Sequence, residues 1–575
     1  MRKTSFLIGI LLIASMILSA CGLSPRKSGV VKIGWVDTPD SFNPGLATSD
    51  ESFRIFDLVY DTLYKLNINQ EYELELAESA TLSPDGKEWK FKIRDGVTFH
   101  DGEPLTADDV VYSINFYKDH PEEFPYISGF TSYFEKVKKS TPSSNEVIIT
   151  LTQPVANMEN KLSYLYVLPK HIWTGNISTE TNNMNFLRFI VPDYWTSADE
   201  KAALTYLNLD MIGSGPFKMV EYQPGALIKL EAMKDHFYYK PKVDGIEIII
   251  YKNPSDMVQA LGRGEVDMIS SVPFAAVAAL QQMPNIQIAD GPSLAPHISD
   301  IIINQISASD CPVDKGWVCT GHPALRDRNV RVALAYAVDK QRIIDDVMLG
   351  LATPGLTLVP KGLGKFYNSG VFEYTYNVDQ ANAFLDAAKY LDTNGDGVRE
   401  MPDGSRDLDF RLGWPTNIPT AEHEAELLKF MWSQIGVVVQ LTPIDPALLN
   451  SRCCPTFDYD IMIGERVSNP DPAVTLGTEY SGNIDTGLNE TGYSDPPYDQ
   501  LYTRQLVKLD QVDRLNTILL MQQTLYTDVV YIVPFYTNAV QAYRTDTFAD
   551  WPFNTANLSL ENPFSLTAIS PIAGQ

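Results

Sequence analysis

Strand-length apolar runs that alternate with capped, helix-length patterns predict an α/β body for this 575-residue chain. Two further observations narrow the class. No internal repeat or low-complexity segment is present, which argues against a solenoid. Beyond the first 20 residues no stretch approaches 18 uninterrupted apolar residues, so no membrane domain is expected. The length suffices for roughly three or four domain-sized units.

At the N-terminus, Arg2 and Lys3 form a positive segment, Phe6 to Leu18 an apolar one, and Leu18-Ser19-Ala20 sets small residues before Cys21. A helix of that apolar segment would be about 20 Å long, short of a hydrocarbon core of about 30 Å. The pattern resembles a bacterial lipoprotein signal, which implies cleavage after residue 20, a diacylglyceryl thioether on Cys21 and an acyl chain on its new amino group. An ordinary secretory signal with an incidental cysteine is the alternative. Residues 21–29 would then be a short tether. Strand-like runs follow at Val30 to Trp35, Trp89 to Ile93, Glu146 to Leu151, Ile246 to Tyr251 and Ile301 to Asn304. Asp108 to Tyr117 has helical apolar spacing, with Thr106 as N-cap and Asp109 completing a capping box. From Asn329 to Val347 an apolar stripe of Val330, Leu334, Val338, Ile343 and Ile344 predicts a helix whose Arg331, Lys340 and Arg342 face water. Gln380 to Tyr390 and Ala421 to Ile435 read as helices, the second stopped by Gly436 as a left-handed cap before a strand from Val437 to Leu441.

Loss of residues 1–20 removes only Arg2 and Lys3 as charges and moves the formal charge from −27 to −29 over 555 residues. So acidic a surface disfavours nucleic acid and anionic lipid, and it favours solubility. Four cysteines remain once Cys21 is assigned to lipid. Cys311 and Cys319 bracket a nine-residue segment rich in Pro, Asp and Gly, which predicts a local disulfide contributing about 2.6 kcal/mol at most. Cys453 and Cys454 are adjacent and could form a vicinal disulfide, stay reduced or pair elsewhere; no C-x-x-C or nearby His marks them as metal ligands. Asp392, Asn394 and Asp396, a Gly at the sixth position, the Val398 carbonyl and Asp403 at the twelfth follow the oxygen spacing of a calcium loop. Asp403 is one methylene shorter than the usual Glu, so a weak structural calcium site competes with a plain turn built on Asn394-Gly395 and Asp396-Gly397. Catalysis has little support. Asp108 and Asp109 point about 100° apart on a helix, His423-Glu424 lacks a second His because position 427 is Leu427, and neither a P-loop nor a nucleophile elbow occurs.

The stretch from Ser83-Pro84-Asp85-Gly86 through Trp89 and Asp101-Gly102 to Asp108-Asp109-Val110 resembles the signature of the family 5 extracellular solute-binding proteins, the oligopeptide, dipeptide and nickel group. The likeness recurs at Gly213-Ser214-Gly215-Pro216-Phe217, at Val330 to Asp339, at Asp458-Tyr459-Asp460-Ile461 and at Asn469-Pro470-Asp471-Pro472. It implies a two-lobe periplasmic-binding-protein-like fold of the large peptide-binding type, with two crossover strands as hinge. Lobe I would span 30–290 with an extra subdomain at about 70–200, lobe II 291–535, and 536–575 would return to lobe I. It further implies a monomeric receptor outside the cytoplasmic membrane, without catalytic residues or a required cofactor. Such a receptor hands its ligand to the membrane permease and cytoplasmic ATPase of an ABC importer. A signalling receptor or a secreted hydrolase on this scaffold is the competing class.

Ligand chemistry turns on Gly464 to Pro472. In peptide-binding relatives this stretch reads Gly-Trp, two variable residues, then an Asp that holds the peptide's α-ammonium group. Here Glu465 stands in place of the Trp and Ser468 in place of the Asp. A neutral hydroxyl does not replace a carboxylate opposite a cation, because charge-assisted bonds are about twice as strong. Either Glu465 supplies the charge or the solute is an oligosaccharide or another non-peptide. Trp414 and Asn417, at the end of a strand beginning at Asp409, are candidates for stacking and polar contact. Tyr126, Tyr133, Tyr164 and Tyr166 are further aromatic candidates, and Asp471 is either a ligand contact or a helix N-cap.

Overall fold

The computed structural model describes residues 29–174, 203–292, 296–311, 313–454, 456–552 and 560–572. The expected leader, Cys21 and all of the tether except Gly29 lie outside the described residues. A 12-stranded mixed sheet organises the molecule. Its strands, numbered in chain order, are β1 (Val30–Trp35), β2 (Phe217–Gln223), β3 (Leu227–Ala232), β4 (Gly245–Ile250), β5 (Met268–Ile269), β6 (Ile286–Pro292), β7 (His297–Ile303), β8 (Ala352–Pro354), β9 (Asp409–Pro415), β10 (Val438–Ile444), β11 (Ile461–Val467) and β12 (Tyr531–Arg544). They run in the order β10-β9-β11-β7-β12-β5-β1-β4-β3-β2, with β6 and β8 also paired to β12.

The 14-residue β12 belongs to both halves of this sheet. Its first residues pair antiparallel with β7, Tyr531 opposite Ile302 and Tyr536 opposite Ile298. Its last residues pair with β6, Asn538 opposite Pro292 through Arg544 opposite Ile286, and with β5. The consecutive β6 and β7 make the other passage between the halves. In the first half β1 is parallel to β4 and β5; in the second β9 is parallel to β10 and β11.

Each half has its own core. The first gathers Val31, Ile33, Phe56, Phe91, Val110, Tyr117, Val147 and Ile246, together with Phe548, Leu566 and Ile569 from the C-terminal segment. Onto it packs a four-stranded antiparallel sheet of Ala77–Leu82, Glu88–Ile93, Glu146–Leu151 and Phe134–Lys139. The second gathers Ile301, Val330, Leu334, Leu385, Phe410, Trp432 and Ile461. A further cluster around Leu358, Tyr498, Ile518 and Leu525 backs it. Each of these fully buried apolar side chains contributes about 1.5–3 kcal/mol.

Local chemistry accounts for the sequence signatures. Thr106 and Asp109 form the expected capping box on Ala107–Asp119. In Gly213-Ser214-Gly215 the need is close packing rather than a bend alone. A Cβ on Gly213 would sit 2.0 Å from the Val59 carbonyl oxygen, while the Gly215 amide donates to that same oxygen at 2.8 Å. Gly436 takes the left-handed conformation at φ 73°.

One helix expected from Asn329 to Val347 is two, Arg328–Tyr336 and Lys340–Val347, because Asp339 accepts from the Arg342 amide and starts the second. Two of its three expected surface cations are also inside. Arg331 is 5% exposed and donates to the carbonyls of Leu325, Arg326, Asp528 and Val529. The Lys340 ammonium donates to the Gly355 carbonyl at 2.7 Å. Cys311 and Cys319 are disulfide-bonded with their Cα atoms 6.2 Å apart, and Cys453 is bonded to Cys454. Both pairs border one small cluster around Phe457, Tyr459 and Met462.

Candidate functional site

Because β9 and β11 are parallel, their carboxyl ends, Trp414-Pro415 and Gly464-Glu465, share one edge of the second half. That is the edge where open α/β sheets hold ligands. The antiparallel β7 brings its first residues to the same edge, with His297 opposite Val467 and Ser299 opposite Glu465. The chain leaving β9 turns into the helix Ala421–Ser433, whose first turns hold Glu424 beside Ser299.

Charged and polar groups line both faces of this edge: His297, Ser299 and Glu465 with Glu424 on one, Asp300 and Arg466 with Glu490 on the other. The Glu465 carboxylate lies 3.0 Å from His297 Nδ1, and this contact, aided by Asp50 from the first half, raises the His297 pKa against burial. Ser299 Oγ donates to both carboxylate oxygens of Glu424 at 3.1 Å. Glu424 is 1% exposed. Burial pushes its pKa up to about 8, with the negative charges of Asp300 and Glu465 adding to the effect. Burial also raises Asp300, although Arg466 Nε donates to its Oδ2 at 2.7 Å. Arg466 further reaches Thr478 Oγ1 at 2.9 Å and the Glu490 carboxylate at 3.0 Å. Arg466 thus anchors Asp300 and Glu490, whereas Glu424 has a hydroxyl as its hydrogen-bond donor and no cation. Such an arrangement favours a positively charged or hydrogen-donating solute group.

The residues singled out from sequence fare differently. Glu465 stands at this edge. Ser468 is 3% exposed and its amide donates to the Pro296 carbonyl at 3.2 Å. Asp471 is a structural residue, not a free ligand contact. Its Oδ1 accepts from the Ala473 amide at 2.9 Å, capping Pro472–Leu476, and from Arg514 at 2.7 Å. Trp414 is likewise corrected: at 4% exposure it packs in the second core, because residues of β9 covered on both faces leave no free ring. Asn417 is exposed in the loop after β9. Of the tyrosines, Tyr166 is buried with its hydroxyl on Asp57, Tyr164 stacks on Phe130, Lys161 lies over the Tyr133 ring, and Tyr126 rests against Phe53. Sequence reasoning missed His297, Ser299, Asp300, Glu424 and Arg466. Their signal exists only in the strand register and, for Glu424, in the packing of its helix against Ser299.

The expected calcium loop is internally hydrogen-bonded. Asp392 accepts from the amides of Gly395 and Gly397, and Asp396 accepts from the Val398 amide. Asn394 Nδ2 donates to Asp396, and Asp403 is turned to Ser405, which donates from both amide and hydroxyl. These bonds are the turn chemistry of Asp, Asn and Gly, the plain-turn alternative to a calcium loop.

The halves touch beside the site. The Ala156 amide donates to the Leu506 carbonyl at 2.9 Å, Gln511 Nε2 to the Ala156 carbonyl at 3.3 Å and Asn160 Nδ2 to Asn469 Oδ1 at 3.4 Å. In the first core Ser214 meets Asp61, and His236 also meets Asp61. The serine hydroxyl is given to the carboxylate and has no imidazole base, so the trio is structural.

Two sheet halves joined through the continuous β12 and the successive strands β6 and β7, with a polar site at the strand ends, define an extracytoplasmic binding-protein fold. Solved structures share it. The Bacillus subtilis oligopeptide-binding protein AppA, solved with a nonapeptide, matches with a TM-score of 0.67 at 24% identity, covering 96% of this chain and 100% of that one. A Thermotoga maritima periplasmic oligopeptide-binding protein matches with a TM-score of 0.76 at 18% identity, covering 95% and 100%. Campylobacter jejuni NikZ, solved with Ni(L-His), matches at 0.69 and 22%, covering 94% and 99%. By sequence, AppA is 28% identical over 524 residues, 87% of each chain. The Escherichia coli dipeptide-binding protein is 26% identical over 509 residues, 83% of this chain and 88% of that one. The family profile of the bacterial extracellular solute-binding proteins, family 5, matches residues 71–487, and the chain belongs to that family. It is a transport binding protein and not an enzyme. Among the described residues no helix is long and apolar enough to cross a membrane.

Proposed function

We propose that this chain is the lipid-anchored substrate-binding protein of an ABC importer and captures a peptide or peptide-like solute between its two lobes. Lobe I comprises 30–290 and the return 536–575, lobe II comprises 291–535, and the hinge is formed by β6–β7 and β12. A ligand touching both lobes stabilises the closed form by its differential affinity for it. Two of the most similar relatives are named for oligopeptide and dipeptide binding, which supports a peptide.

The observation that carries the ligand assignment is the acidic pair Glu465 and Glu424 on one face of the strand-end edge, beside His297, whose pKa Asp50 of lobe I also helps to raise. With Ser468 where an Asp would hold the ammonium group, Glu465 supplies that charge from three residues earlier. Titration calorimetry with matched peptides tests this. A free-amino peptide binds the native chain, its N-acetylated form binds at least about tenfold more weakly, and Glu465→Gln removes the difference. Equal binding of both forms would show that the ammonium group is not read. Failure of all peptides alongside binding of an oligosaccharide would replace the peptide reading with the sugar one. Mass spectrometry of the mature N-terminus reports the lipid on Cys21.

A further inference from the structure

The sequence offers no third ligand beside Cys453 and Cys454, but the fold does. The sulfurs of both residues and a carboxylate oxygen of Glu490 lie within 4.8 Å of one another, the only such trio of His, Cys, Asp or Glu among the described residues. Cys453 is 3% exposed, and the pair rests against Trp317, Phe457, Tyr459 and Ile484. The Tyr459 hydroxyl donates to the Glu490 carbonyl and fixes that residue's backbone against the cluster.

We propose that Cys453, Cys454 and Glu490 form a redox-gated site for a borderline-soft divalent cation of the zinc type. In the disulfide state the sulfurs are bonded to each other and the site is closed. A dithiol reductant opens it: two electrons and two protons pass to the sulfurs, the S–S bond breaks into two thiols, and the reductant becomes its cyclic disulfide. On binding, each thiol releases its proton to solvent and the cation takes two thiolates, one Glu490 oxygen and a water. Donors of such a tetrahedron lie roughly 3.5–3.8 Å apart, so once the S–S bond is broken the two sulfurs move apart, while the Glu490 oxygen already lies within 4.8 Å of them. The apolar wall lowers the local dielectric and strengthens the ion–thiolate bonds. Arg466, which holds Glu490 at 3.0 Å, keeps Asp300 and Thr478 when the carboxylate turns to the metal.

Cobalt(II) is the probe, because thiolate ligation gives it a near-ultraviolet charge-transfer band. The full chain carrying Cys21→Ser is reduced with dithiothreitol, freed of reductant without air and titrated. The band grows to one equivalent after reduction and is absent before it. Cys453→Ser and Cys454→Ser each abolish it, the double variant Cys311→Ser/Cys319→Ser retains it, and Glu490→Gln weakens binding by about tenfold or more. Near-ultraviolet circular dichroism checks that each variant is folded. The proposal is overturned by a band that survives Cys453→Ser or Cys454→Ser, by no band in the reduced chain, or by failure of Cys311→Ser/Cys319→Ser to release two thiols under reduction.

Discussion

Glu424 is the residue whose chemistry is least like its appearance in sequence. It sits in the first turns of a helix, where an acidic side chain ordinarily faces water and complements the helix dipole. The structure encloses it instead, with Ser299 Oγ as its donor. The direction of the pH dependence follows. Its folded pKa of about 8 lies above its ordinary value of 4.5, so its contribution to stability is complete below about pH 4.5 and is lost as the pH rises toward 8. Glu424→Gln keeps an oxygen for Ser299 and removes the titration. Its melting temperature, followed from pH 5 to pH 8, should fall less than that of the native chain, with the gap at pH 8 worth on the order of a few kcal/mol. Parallel profiles would mean that the native carboxylate ionises without cost and that the pocket is wet.

At the scale of elements, the loop from Asp392 to Asp403 and the helix pair Arg328–Tyr336 and Lys340–Val347 carry the lessons. The loop satisfies its carboxylates with its own amides. Millimolar calcium against a chelator should therefore leave the melting temperature unchanged, and a rise would show that Asp403 swings away from Ser405 to complete a cage. Much of the element pattern was legible. Val30–Trp35 and Glu146–Leu151 match to the residue, and the capping box at Thr106 predicted its helix, since side-chain periodicity and capping are local. What was not legible depends on distant backbone. Arg331 is buried because carbonyls some 200 residues away need donors, and Asp471 is consumed by Arg514, which lies 43 residues on. Trp414 read as a loop aromatic because the polar residues after it were visible and the second core behind it was not.

For the whole molecule, the two cores make unequal demands on the chain. The second is assembled from residues between Ile301 and Phe535, whereas the first needs Phe548, Leu566 and Ile569 from beyond β12. Removing residues 547–575 should split calorimetric unfolding into two transitions, the first half melting at lower temperature and the second near its native value. A single unshifted transition would mean that the C-terminal segment adds nothing to the first core. The sheet order was not legible in the sequence, because no periodicity shows that β5 pairs with a strand roughly 270 residues later. That pairing has a consequence for the order of events during secretion. A chain that emerges N-terminus first delivers residues 30–292 long before β12 and the segment behind it, so the half made first is the half that closes last. Contacts of such sequence separation form slowly, and meanwhile the edges of β5 and β6 that β12 will pair stay open to other strands. The exported chain thus spends its most aggregation-prone interval waiting for its final 45 residues, a window in which a chaperone outside the membrane has most to protect.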